Sequence, residues 1–145
     1  MSRPIRILWI EDDLQFADLG CLSLQNAATR NRDEITVEVA RTLSGGIIRS
    51  ADFDCVLLDL DLPDSRKEDT LLSLPSMAEK LPPIIVLSNF TYPDEAETGL
   101  YWTVLLKGAE GVFFKAEIIE NPHRVLDTVK KEVIRRHRYH ATEKA

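Results

Sequence analysis

Two stretches restrict the fold more than anything else in this chain: Asp54-Cys55-Val56-Leu57-Leu58-Asp59 and Pro83-Ile84-Ile85-Val86-Leu87-Ser88. Each holds an unbroken apolar run between more polar or rigid flanks. A strand with one wet face alternates apolar and polar residues, so a run without alternation must be covered on both faces. Parallel sheets clothed by helices supply that environment.

The rest of the chain supplies the partners. Ile5–Ile10 reads as a strand, Ile35–Val39 alternates as a strand should, and Gly111–Lys115 forms a short last strand. Between the strands lie amphipathic stretches with helical spacing. Leu14–Arg30 offers Phe16, Leu19, Leu22 and Leu24 as an apolar side. Leu43–Ala51 is a helix weakened by Gly45 and Gly46 in its first turn. Asp94–Lys107 and His123–His140 are helices. Thr70–Leu81 contains Pro75, which breaks regular helix, so a short or broken helix is expected, with Ser73 capping a second turn. Five strands alternating with five helices predict an α/β fold, a doubly wound parallel sheet with helices on both faces.

A length of 145 residues fits one domain, 1–145, with a core over about 4–135 and a basic C-terminal helix and tail. No apolar run approaches the ~20 residues of a membrane span. The start, Met1-Ser2-Arg3-Pro4, leads straight into a strand and not into a secretory signal. The expectation is a cytoplasmic protein with no membrane contact. Cys21 and Cys55 sit among apolar residues and read as buried free thiols. Net charge is −6, yet from Asn121 onward seven Lys/Arg face three Asp/Glu. An acidic body argues against direct DNA binding, and the basic end reads as a solvated helix face.

Polar residues end the strands. The first runs into Glu11-Asp12-Asp13, the third ends at Asp59, the fourth at Ser88 and the fifth at Lys115. In an open parallel sheet these ends share one edge, where ligands bind. Carboxylates from Glu11, Asp12 and Asp59 would repel one another at close range, and a divalent cation relieves that. Mg²⁺, or Mn²⁺ in its place, with Lys115 and Ser88, makes Asp59 a nucleophile for phosphoryl transfer. Taken singly the features are weaker, since Asp12 or Asp13 also suits a helix cap before Leu14. His137 and His140 have i, i+3 spacing but no third ligand nearby in sequence, and read as surface histidines.

These stretches, with Gly108-Ala109-Glu110-Gly111-Val112-Phe113-Phe114-Lys115, resemble the response-regulator receiver family over roughly residues 4–135. The resemblance implies a flavodoxin-like fold with strand order 2-1-3-4-5, an order for which a member of this family is a standard example. It implies that Glu11 and Asp12 organise Mg²⁺, that Asp59 accepts the phosphoryl group and that the backbone carbonyl of Asp61 completes the metal shell. Ser88 takes the place of the switch hydroxyl and Lys115 that of the phosphate-binding lysine. The implied donor is a histidine kinase or a histidine phosphotransfer protein. The implied output is a downstream protein effector, or a homodimer, met through the face of the fourth helix, fifth strand and fifth helix. Catalysis on other molecules is not implied, only self-phosphorylation from small donors and autodephosphorylation.

The chain departs from the family pattern at several points. Val112 stands where an aromatic residue is usual, with Phe114 on the same side of the strand as a core phenylalanine. Ala116 follows the lysine in place of proline. The charged run Arg66-Lys67-Glu68-Asp69 replaces a glycine-bearing turn, and Asp61 places an acid beside the acceptor. Two other readings compete. One is a pseudo-receiver that binds without being phosphorylated. The other is a haloacid-dehalogenase-type phosphatase using Asp59-Leu60-Asp61, which leaves Glu11 and Asp12 unexplained.

Overall fold

Side chains alternate along each central strand and sort to two faces, and both faces are buried. The computed structural model describes residues 3–89 and 95–143, excepting the side chains of 95–98, 100 and 138–143. Its five strands are β1 (Ile5–Ile10), β2 (Ile35–Ala40), β3 (Cys55–Asp59), β4 (Ile84–Ser88) and β5 (Gly111–Phe114). All neighbours pair in parallel, in the order β2-β1-β3-β4-β5. Ile7, Trp9, Cys55, Leu57, Ile85, Leu87 and Phe113 face one core. Leu8, Ile10, Val56, Leu58, Ile84, Val86 and Val112 face the other. The unbroken apolar runs are the sum of these two alternating sets.

Helices cover both faces. On one side lie α1 (Leu14–Arg30), the short α5 (Glu117–Glu120) and α6 (Pro122–Glu143). On the other lie α2 (Leu43–Arg49), α3 (Lys67–Lys80) and α4 (Glu95–Leu106). The helix expected from Asp94 is described from Glu95, and Asp94 itself lies outside the described residues. A single 3₁₀ turn, Ser50–Asp52, follows α2.

Three expectations need correction. First, Leu19 and Leu22 do not face the core: they are 60% and 59% exposed, and α1 turns Ala17, Gly20, Leu24, Ala27 and Ala28 inward. The bulky Trp9 of β1 decides this, because a Cβ on Gly20 would stand 2.4 Å from its Cη2 atom. Second, α3 is one continuous helix through Pro75, without a break or a second cap at Ser73. Pro75 lies on the exposed side, where water can solvate the carbonyl it frees. Burial of Leu74 and Met77, at about 1.5–3 kcal/mol each, matches or exceeds the roughly 3 kcal/mol an interior proline costs. Third, the segment after β5 contains an extra turn, α5, before α6 opens with Pro122 at its first position. The last helix is therefore sixth in order. Cys55 is buried and Cys21 half-buried, both as free thiols.

Candidate functional site

The C-terminal ends of β1, β3, β4 and β5 bring the predicted residues to one edge. Glu11 follows β1, completely buried, and its backbone N–H is held by the Ala40 carbonyl at the end of β2. Asp59 ends β3 and is 5% exposed. The Lys115 ammonium lies between them, donating to Glu11 Oε1 at 2.7 Å and to Asp59 Oδ2 at 2.9 Å. These residues are 104 and 56 positions apart in sequence. The N–H of Lys115 donates to the Ser88 carbonyl at 3.0 Å, which fixes the turn after β5 against the end of β4. Ser88 itself is buried, one residue beyond the Leu87–Asp59 pair.

The two acids after Glu11 take different tasks. Asp13 caps α1, accepting from the Phe16 N–H at 3.1 Å. Asp12 is exposed and joins Glu11 and Asp59, with one oxygen of each within 4.8 Å of the others. Among the described residues this is the one group of three acidic, histidine or cysteine side chains so placed. His137 is exposed and belongs to no such group, and the His140 side chain lies outside the described residues. Asp61 is exposed, and its N–H donates to Asp59 Oδ1 at 3.1 Å.

Electrostatics mark the site as short of positive charge. Burial and the neighbouring Asp59 push the Glu11 carboxyl up to about 8, against the pull of Lys115. Burial opposes the Lys115 charge, but the hydrogen bonds it donates to Glu11 and Asp59 prevail and hold its pKa above the ordinary lysine value. Glu11 Oε2 is buried without a hydrogen-bond partner. A carboxyl oxygen orphaned in this way, with two more acidic side chains close by, fits a hard divalent cation, whose charge would favour the ionised form.

Three neighbours of the site carried no signal in sequence beyond their element. The Phe16 ring lies 5.6 Å from the Lys115 ammonium and meets Trp9 edge-on. Glu117 accepts the Phe114 N–H at 3.0 Å and is paired with Arg124, holding the turn where proline is absent. Asp64 accepts two backbone N–H groups at the start of α2. Val112 is packed in the core, whereas Phe114 is only half-buried, unlike the core phenylalanine expected.

No protein-family profile matches the sequence, and no curated protein matches it. Solved structures do. A response regulator receiver domain protein (CheY-like) from Methanospirillum hungatei superposes with a TM-score of 0.66 at 20% identity, over 94% of this chain and 99% of that one. The chain has the receiver-domain fold. The BeF₃-activated receiver domain of Klebsiella pneumoniae RstA gives 0.61 at 20% identity, over 88% and 97%. The response regulator domain of Thermotoga maritima CheB gives 0.64 at 17%, over 90% and 97%. At such identities the likeness concerns the fold, and the five-stranded order matches it. Among the described residues no helix is long and apolar enough to cross a membrane.

Proposed function

We propose that the chain is a phosphoacceptor receiver in two-component signalling, modified on Asp59 by a histidine kinase or histidine phosphotransfer protein. One observation carries this reading: the Lys115 ammonium binds both Asp59 and the buried Glu11 in an acidic pocket. Glu11, Asp12, Asp59 and the Asp61 carbonyl would hold Mg²⁺. When bound, the ion supplies charge neutralisation for an incoming phosphoryl group.

The chain's own residues do the rest. An Asp59 carboxylate oxygen forms a bond to phosphorus while the donor's bond to phosphorus breaks, and the electron pair leaves with the donor nitrogen or oxygen. Lys115 offsets charge on the transferred oxygens, and Ser88 donates to the product. Drawing Lys115 and Ser88 toward the new group changes the packing of the adjacent β5 turn and α4. Tyr101 and Trp102 on α4 are 39% and 60% exposed and in edge contact, an apolar surface suited to an effector or a second copy of the chain. The protein acts on its own Asp59 only and works in the cytoplasm, without contacting DNA.

Incubation with Mg²⁺ and acetyl phosphate, followed by intact-mass measurement, tests the reading. The chain is expected to gain one phosphoryl mass, and Asp59→Asn to gain none. An unmodified chain under these conditions would leave only a pseudo-receiver. Sustained phosphate release from added monoesters would favour a phosphatase.

A further inference from the structure

The loop after Asp59 is fastened at both ends, and one fastening reaches a different helix. Residues 62–65 close on themselves: the Leu62 N–H donates to the Ser65 carbonyl at 2.9 Å, and the Ser65 N–H returns to Leu62 at 3.2 Å. On one side the buried Thr70 hydroxyl, in the first turn of α3, bonds the Ser65 hydroxyl at 2.8 Å and the Ser65 carbonyl at 3.2 Å. On the other side Asp64 crosses to α2. Its Oδ1 accepts the Leu43 N–H at 2.8 Å and its Oδ2 the Ser44 N–H at 3.0 Å.

The start of α2 is thereby satisfied from two sources. A helix leaves its first N–H groups without internal partners. Thr42, the local cap, takes the Gly45 N–H at 3.1 Å. Asp64 takes the two before it, from 20 and 21 residues away. The helix needs an acceptor there, but nothing requires it to come from the acceptor loop. The hydrogen bond from the Ser44 N–H, which outweighs the slight burial, and that from Leu43 hold the Asp64 carboxyl below its ordinary pKa. The side chain is therefore a carboxylate at neutral pH. Between this clasp and Asp59 lies only Asp61 with its flanking residues, and the Asp61 N–H is already bound to Asp59 Oδ1.

We propose that Asp64 is a positioning residue for the cation site, clasping the 61–65 loop to the start of α2 so that the Asp61 carbonyl is held at the ligand position. This rests on the receiver reading and extends it to a residue that touches neither cation nor phosphoryl group. Removing an outer-shell partner of a ligand lowers metal affinity by about 10–100-fold in general. The clasp is expected to act at the lower end of that range, because Thr70 still anchors the other side.

The test is the Mg²⁺ dissociation constant of the full chain, measured by calorimetric titration, beside its melting temperature. Asp64→Ala should weaken Mg²⁺ binding about tenfold. Asp64→Asn keeps one acceptor oxygen and should fall between, and it carries the test if the alanine variant does not fold. Thr42→Ala removes the other cap bond of α2 without touching the loop. It should lower the melting temperature yet leave Mg²⁺ affinity unchanged, a split that mere support of α2 would not produce. Phosphorylation of Asp64→Ala should be slow at limiting Mg²⁺ and recover at saturation. Unchanged Mg²⁺ affinity in Asp64→Ala or, where that variant does not fold, in Asp64→Asn overturns the inference, as does equal weakening by Thr42→Ala. Failure of the unaltered chain to bind Mg²⁺ overturns the receiver reading, and the inference with it.

Discussion

Glu11 is wholly buried with one oxygen unpartnered, an arrangement that costs stability unless something else compensates. Lys115 compensates in part by bonding the other oxygen, but it must also serve Asp59. One ammonium thus serves two acidic side chains with Asp12 close by, and the shortfall is what a cation would fill. Asp61 adds another acidic residue two positions past Asp59, exposed and tied to Asp59 through its backbone N–H. In the proposed phosphorylated state Asp59 would carry about −1.5 to −2 charge, which the Asp61 side chain would repel. One such surface repulsion is worth roughly 1 kcal/mol, or about fivefold in rate. Asp61→Asn is accordingly expected to slow loss of the phosphoryl group about fivefold, read by intact mass over time after the donor is removed. An unchanged decay would show that the Asp61 charge does not reach the phosphoryl group.

At the scale of the elements, α1 and α5 are set by Trp9. The Trp9 ring fills the space under α1, leaving room only for Gly20, and a Cβ there would also stand 3.3 Å from Ile118 of α5. Because α5 begins two residues after Lys115, this packing also bears on the site. Gly20→Ala gains up to about 1 kcal/mol of helix propensity but forces overlap with a fully buried ring, typically 1–3 kcal/mol. A net loss is expected, with the melting temperature falling by a few degrees; a rise would mean that Trp9 can move aside. This contact also explains what the sequence could and could not convey. The strands were legible because two alternating faces add up to apolar runs, and Glu11, Asp59, Ser88 and Lys115 were legible because each ends such a run. The inward face of α1 was not: counting large apolar residues selects Leu19 and Leu22, whereas fit against Trp9 selects glycine and alanine. Pro75 misled for a similar reason, since its exposed position, known only from packing, lets α3 continue. The Asp64 and Glu117 contacts join side chains to backbone across turns, and such bonds leave no periodic trace.

For the molecule as a whole, the same edge of the sheet carries the proposed chemistry and a concentration of like charge. Stability and function then pull apart at Asp12, the exposed member of the acidic group. In cation-free protein the Asp12 carboxylate lies close to that of Asp59, and the Lys115 ammonium pairs with Glu11 and Asp59 but not with Asp12. Removing it should leave the melting temperature at or above that of the unaltered chain. With Mg²⁺ present the order reverses. A ligand at a hundred times its dissociation constant stabilises the folded state by about 2.7 kcal/mol, which for a domain of this size raises the melting temperature by roughly 5–10 °C. Asp12→Ala should lose most of that rise while folding normally without the ion. Thermal melts of both proteins, in chelator and in saturating Mg²⁺, decide the matter. A variant that keeps the full Mg²⁺-dependent rise would exclude Asp12 as a ligand, and an unaltered chain indifferent to Mg²⁺ would leave the orphaned Glu11 oxygen without the compensation argued for it.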